Sequence, residues 1–444
     1  MELIFGKVKG AGVLDYVACW YAKAAQYITT SVRPELVEGL NVHTSTSSAR
    51  TEGIQAAFVS TNSITQGEQV SILWGYLLLQ GIKIRFAHRT FQWSNEGKGV
   101  AAVHCVIVGF SLNEPKHRVL FDYGDNIKGE PTTIAARNIN PYLVDAPTVF
   151  IDKRRTPICT APEMTRGSSP VDGGNLLMND ADKAALLQIE PQAEKWIRPY
   201  LMGDEFINNI SRWCLWLRAI TPAELRAMPQ VMRRVEAVKV MRLASTKAAT
   251  VELANTPTLF GEIRQPSSPR YLAIPKVSSE RRRFIPIGYL DAEVICGDKI
   301  FFVSDTDLHT FGILNSTMHN AWMRTTCGRL KSDYSYSNTI VYNNYPWPDS
   351  TDKHHATIEA AAQSILDARA LYPESSLADL YDPLSMPPEL VKAHAALDKA
   401  VDAAYQYKGG KDDAARVAFL FERYQQLTSL LPAVTAKKTR KRNT

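Results

Sequence analysis

The chain has 444 residues, 45% of them apolar and 22% charged, with a formal net charge of +6. This composition supports packed cores and excludes wholesale disorder, and the length suggests two or three domains. No apolar run reaches the roughly eighteen residues of a membrane-spanning helix, and MELIFGKVKGAG lacks the basic start and long apolar core of a secretory signal.

In chain order, Leu14, Val17, Ala18, Tyr21, Ala25 and Ile28 share one stripe and predict a helix over 14–28. The segment that follows is far longer than the roughly 2–6 residues of ordinary α/β connections. It is rich in Ser and Thr and lacks periodicity, so 31–53 reads as an inserted surface loop, similar to the translated form of a mobile palindromic repeat of bacterial genomes. A short buried strand is expected at Ala56–Ser60, a helix over 68–80 and a second strand at Ile82–Phe86. The aromatic loop HRTFQW leads to a third strand over 100–111, whose nearly continuous apolar run predicts cover on both faces. Residues 121–144 read as a polar connection ending at INPYLVD.

From there to Pro348, short strands alternate with prolines, as in a mixed α+β domain. An Arg-rich helix is expected over 223–245, interrupted near Pro229, and a second helix runs from FGIL to Gly328. Three amphipathic segments, ATIEAAAQSILDARAL, PPELVKAHAALDKAVDAAY and DDAARVAFLFERYQQLTSL, predict a small helical bundle over 355–431. A basic tail, 435–444, follows.

Cys19, Cys105, Cys159, Cys214, Cys296 and Cys327 stand singly, without metal-ligand or redox spacing. They read as reduced thiols of a cytoplasmic protein. Basic residues cluster at Arg233–Arg234, Arg281–Arg283, Arg324 to Lys331 and in the tail. Such clusters neutralise phosphates and release counterions; a solvated charged face is the equally weighted alternative.

The words LDYVACWYAKAAQYI, AAFVSTNSITQG, IKIRFAHRTFQW and KGVAAVHCVIVGF, in that order, resemble the later part of an adenine-N6 DNA methyltransferase of the MmeI-like family. Members of that family fuse restriction and modification in one chain. RPYLMGDEFINN, CLWL, IPKVSSERRRFIPIGY, FGILNSTMHNAWMRTTCGRLKSDYSYS and VYNNYPWP resemble its target-recognition domain. SSLADLYDPLSMPPELVKAHAALDKAVDAAY resembles its C-terminal domain. The implied fold is α/β plus α+β: a partial Rossmann-like methyltransferase sheet over 1–125, a mixed α+β target-recognition domain over 140–348, and the terminal helices. The implied cofactor is S-adenosylmethionine, and the implied partner is double-stranded DNA.

The resemblance also implies roles for particular residues. An enzyme acting on adenine N6 must flip the base out of the duplex, and Phe91, with Trp93 second, would stack against it. Core filling is the plain alternative for both rings. Glu280 and Arg282 would read one base pair, a carboxylate on the cytosine amine and a bidentate guanidinium on guanine. Alternation along the chain would put them on one side and Arg281 and Arg283 on the other, toward phosphates; a surface ion pair is the alternative. Arg324, Arg329 and Lys331, beside Tyr334 and Tyr336, suit contacts to the DNA backbone. Asp15 reads as an N-cap carboxylate in preference to a wall of the methyl-donor pocket, and Asn62 as a turn residue. His309 and His319 lack a carboxylate or cysteine at ligand spacing, so no metal is expected.

Members of the family carry a glycine-rich cofactor loop and an Asn-Pro-Pro-aromatic catalytic loop before a segment like LDYV. Here GAG at Gly10–Gly12 has no strand before it. NPY at Asn140–Tyr142 follows the third strand, on the wrong side of the sheet order. The sequence therefore reads as a chain that starts within a catalytic domain, with Met1 an internal methionine of a longer gene and with no catalytic residue of its own. It is expected to bind DNA and not to methylate it alone. Two alternatives are a DNA-specificity subunit that complements a separately encoded catalytic and nuclease half, and a non-functional remnant.

Overall fold

In a computed structural model, residues 1–31, 53–93, 103–124 and 126–429 are described. The expected insertion, apart from its end residues, and the basic tail lie outside them. The chain divides into two compact units. One holds Met1–Arg154, Asn344–Pro346 and the segment from Gly409; the other holds Arg155–Asn343 and Trp347–Lys408.

The first unit is built on a five-stranded sheet of order β1-β3-β2-β4-β5. Its strands are β1 (Gln55–Thr61), β2 (Lys83–Trp93), β3 (Val103–Ser111), β4 (Arg118–Asp122) and β5 (Thr132–Ala136). β3 lies antiparallel between β1 and β2, so these two run the same way. The helix Glu68–Leu79 makes the crossover between them and buries Val70, Leu73, Trp74 and Leu77. The first expected helix forms at Ala18–Ser31. Its buried stripe places Tyr21 against Phe58, Trp74 and Phe110 at ring distances of 5.1, 5.9 and 5.5 Å. Gly109 has to be glycine, because a Cβ there would overlap the Phe86 ring.

Two expectations change here. HRTFQW is not a loop: β2 continues through it, pairing Phe91 with Cys105 and Trp93 with Val103 after an irregularity between His88 and Phe91. Aromatic and β-branched residues favour such a pleated surface, and a bulge absorbs the mismatch in register. Nor is 121–144 a bare connection, since it contributes the end of β4 and all of β5. β5 is mostly exposed, so its sequence, TTIAA, carries no burial alternation.

The second unit has three small sheets, of orders β12-β10-β14-β6, β11-β16-β15 and β13-β8-β9-β7. The strands are β6 (Met164–Arg166), β7 (Leu177–Met178), β8 (Ile197–Leu201), β9 (Trp213–Leu215), β10 (Arg270–Pro275), β11 (Val277–Ser278), β12 (Gly288–Asp291), β13 (Ile295–Cys296), β14 (Ile300–Ser304), β15 (Gly328–Leu330) and β16 (Asp333–Ser335). Tyr200, Leu215, Val231, Val235 and Phe260 share one core, and Phe206, Tyr271 and Phe302 another. The Arg-rich segment forms as Pro222–Arg226 and Pro229–Leu243, each with proline at its start, where no helical N–H is lost. The single helix expected to end at Gly328 is two, Leu308–Asn315 and Thr317–Thr326. Ser316 divides them, because its hydroxyl accepts the His319 amide and caps the second helix.

The C-terminal helices divide between the units. Asp352–Ala370 and Pro388–Ala404 pack on each other and on Leu308–Asn315. Asp413–Ser429 instead packs in the first unit, with Phe421 5.1 Å from Tyr142 and the Tyr424 hydroxyl donating to Asn344 at 3.2 Å. None of the six cysteines is joined in a disulfide. Among the described residues, no helix is long and apolar enough to cross a membrane.

His319 is fully buried, with Nδ1 2.9 Å from the Leu314 carbonyl and Nε2 3.0 Å from the Tyr336 hydroxyl. Burial pushes its pKa down to about 3. The unfolded chain, with an ordinary histidine near 6.5, then binds the proton that the folded chain refuses. Stability is therefore complete above about pH 6.5 and falls by about 1.4 kcal/mol per pH unit as pH drops from there toward 3. Urea midpoints between about pH 8 and pH 5 check this; a midpoint that stays level throughout speaks against a neutral buried ring.

Candidate nucleic-acid interface

β11 pairs with β16, and β16 with β15, which brings SSERRRF beside the hairpin of Gly328–Ser335. Immediately after β11 the chain turns back, with the Arg282 amide donating to the Ser279 carbonyl at 3.1 Å. The Arg281 amide reaches the Ser279 hydroxyl at 3.4 Å, and the Glu280 amide reaches Asp333 Oδ1 at 3.4 Å. Glu280 and Arg282 thus sit on a turn, where strand alternation does not govern them; serine's competing hydrogen bonds end the strand.

The Glu280 carboxylate lies 3.7 Å from the Arg329 guanidinium, and Arg281 lies 4.0 Å from Asp382. Arg282 is partly buried, which pushes its pKa down, while the Asp382 and Asp333 carboxylates act in the opposite sense. Arg283 lies 5.3 Å over the Phe284 ring, and its carbonyl accepts from Arg324 at 2.6 Å. Arg329 stacks 3.9 Å over Tyr334 and donates to the Ser332 carbonyl at 2.7 Å. Lys331 is exposed at the hairpin tip in the left-handed conformation, φ 57°.

The structure thus gathers Glu280, Arg281, Arg282, Arg283, Arg324, Arg329 and Lys331 around one turn and one hairpin. Tyr334 and Tyr336 are buried beneath them, as support. Asp333 and Asp382 are members that composition did not single out; the former sits in the alternating run KSDYSYS, and the latter is remote in sequence. An ion pair as exposed as Arg281–Asp382 contributes about 0–1 kcal/mol, so Arg281 can exchange its carboxylate for a phosphate at small cost.

A second group lies in the first unit. Phe91 stacks on Tyr123 at 5.3 Å, with Trp93 at 6.2 Å and His88 at 6.3 Å. His88 lies flat on Phe121 at 4.1 Å, and its Nδ1 is 2.9 Å from the Tyr123 hydroxyl. Burial pushes the His88 pKa down; burial, and then Glu130, push that of Tyr123 up. Trp93 is 46% exposed, enough ring to stack on a ligand. Asn62 is buried and donates to Thr90 at 3.3 Å. Asp15 is clamped to Gln69 by reciprocal 3.0 Å bonds. Asn140 Oδ1 accepts the amides of Tyr142 and Val144 at 3.0 and 3.1 Å, which is turn chemistry.

His309 has neighbours that its sequence spacing concealed: its ligand-capable atoms and those of Asp307 and His355 lie within 4.8 Å of one another. The two rings stack at 3.6 Å and 10°, so their lone pairs lie in parallel planes and do not converge on one point. Asp307 Oδ1 accepts the Thr310 amide at 2.8 Å, and His309 Nε2 is 3.1 Å from the Ser350 hydroxyl.

Residues 1–122 match the family described as the MmeI DNA-methyltransferase domain, 145–349 the MmeI target recognition domain, and 350–432 the MmeI C-terminal domain. DNA methyltransferase A of Bacillus subtilis (strain 168) is 36% identical over 429 residues, covering 96% of this chain and 45% of that protein. The structure of the type IIL restriction-modification enzyme MmeI in complex with DNA superposes with a TM-score of 0.86 at 50% identity. It covers 97% of this chain and 55% of that one. The chain spans about half the length of the relatives it matches.

Proposed function

With MmeI methyltransferase, target-recognition and C-terminal domains succeeding one another along it, this is an MmeI-like chain, and we propose that it reads duplex DNA for a site-specific adenine-N6 methyltransferase of a restriction–modification system. The observation that carries this reading is the convergence of the 279–283 turn and the 328–335 hairpin into one face rich in arginine. Glu280 and Arg282 read a base pair there. Arg281, Arg283, Arg324, Arg329 and Lys331 hold the sugar–phosphate backbone, with Tyr334 packed below. Phe91, with Trp93 beside it, offers the ring on which a flipped adenine stacks.

S-adenosylmethionine is the methyl donor of this reading. In Rossmann-like sheets such ligands bind at the carboxyl ends of the first strands. The described residues alone do not fit it: Asp15 is committed to Gln69, and β1 ends the described sheet with one edge unpaired. A polypeptide of these 444 residues therefore binds DNA and transfers no methyl group by itself. Among the described residues the outer edge of β1 is open, and open strand edges accept further strands.

Titration of duplex DNA against the purified polypeptide at several salt concentrations tests the reading. Neutralising about five phosphates gives a log–log slope of about −4.5, and each Arg→Gln change on this face should lower its magnitude by about 0.9. Affinity indifferent to salt argues against the interface. Methyl incorporation from labelled donor by the polypeptide alone refutes the division of labour.

A further inference from the structure

The base-reading turn does not stand on its own sheet alone. Phe284, the next residue along, is buried and stacks face to face on His394 of the helix Pro388–Ala404 at 3.9 Å and 19°. The Tyr381 hydroxyl lies 2.9 Å from His394 Nε2. Arg369, on the helix Asp352–Ala370, donates to that hydroxyl through Nε at 3.1 Å and through Nη2. A guanidinium only donates, so the tyrosine oxygen accepts from Arg369 and its proton goes to His394. The same guanidinium donates through Nη1 to the Ile287 carbonyl at 2.7 Å. One relay from the C-terminal helices therefore grips the chain at Phe284 and Ile287. Nearer the turn, Asp382 approaches Arg281 at 4.0 Å and is itself held by accepting the Leu384 amide at 2.9 Å.

We propose that the C-terminal helices position the base-reading turn: Arg369, Tyr381 and His394 set the path of the chain that leaves it, and Asp382 holds the turn from outside through Arg281. None of the four is assigned a DNA contact. They are positioning residues, and they act on selectivity at one base pair. The relay fixes the Tyr381 hydroxyl from two sides and ties the guanidinium to the Ile287 carbonyl, and a reading group displaced by about 1 Å loses most of its effect. The inference rests on the reading that Glu280 and Arg282 contact bases.

The test uses the full chain and a randomised duplex pool, from which the preferred site of the unaltered protein is selected. Base-pair preferences are then measured for His394→Ala, Tyr381→Phe and Asp382→Asn, beside Arg282→Ala. Tyr381→Phe keeps the ring and loses only the hydroxyl, and the Asp382 side chain is 40% exposed, so these two variants are expected to fold even where His394→Ala does not. Tyr381→Phe and Asp382→Asn are expected to flatten preference about 10-fold at the base pair that Arg282→Ala also flattens, leaving other positions unchanged. If Arg282→Ala alone flattens that position, or if the losses in the other variants spread evenly over the site, the positioning role is overturned. If Arg282→Ala changes no position, the base-reading assignment falls and takes this inference with it.

Discussion

Arg242→Met is expected to destabilise the second unit by about 3–5 kcal/mol. The side chain is fully buried on the helix Pro229–Leu243. Its guanidinium donates to five carbonyls: Val171 at 2.9 Å, Leu253 at 2.8 Å, Thr256 at 3.0 Å, Pro170 at 3.0 Å and Leu259 at 2.7 Å. All five N–H donors of an arginine are thereby used, and two separate loops are tied to one helix. Methionine fills similar volume but leaves those oxygens without the donor. Each buried unpaired acceptor costs about 1–3 kcal/mol, partly recovered by water and relaxation. Against a typical total of about 5–15 kcal/mol, the loss is large, and Tm should fall by on the order of 10 °C. Arg242→Lys keeps the charge but not the planar fork, so it should fall in between. Thermal and urea unfolding of the three proteins decide the matter; a methionine variant as stable as the parent would show that the five bonds contribute little.

The second large effect concerns selectivity. Replacing Arg282 or Glu280 by alanine should cost about 1–3 kcal/mol at one base pair, roughly 10- to 100-fold in preference. The two changes should differ in their effect on unselected DNA. Glu280 holds Arg329 at 3.7 Å, so its removal takes a negative charge from the face and releases a guanidinium. Binding to unrelated duplex should tighten as preference relaxes. Arg282→Ala removes a positive charge and should weaken both. Equilibrium titrations against the selected site, single-base-pair variants of it and a scrambled duplex measure each quantity. Equal losses on all duplexes would make these residues backbone contacts.

Periodicity made much of this architecture legible. The stripe Leu14–Ile28, the helix from Glu68 and the apolar run of β3 each bury a continuous face, and burial is what spacing encodes. β5 and the outer part of β2 are less buried; their strand state comes from pairing with neighbours, which no local pattern reports. Ser316 divides a helix through a cap that resembles any other serine in a helical run. The basic clusters were visible as composition, yet composition does not separate them. Arg242 belongs to the same Arg-rich helix as Arg233 and Arg234, and it faces inward to hold loops. The turn that carries Arg281–Arg283 packs, through Glu280, beside a hairpin that lies far along the chain. The turn at Ser279 was hidden because alternation assumes an extended backbone. The neighbours of His309 were hidden because His355 arrives from another helix.

The most direct test of DNA reading by the 279–283 turn and its hairpin is selection of duplex DNA from a randomised pool by the purified polypeptide, followed by affinity measurement at one fixed salt concentration. The expected result is an enriched site bound at least about 10³-fold more tightly than scrambled duplex, with a single base pair of that site lost from the preference when Glu280 and Arg282 are replaced. An output pool indistinguishable from the input, bound no better than scrambled duplex, would contradict it.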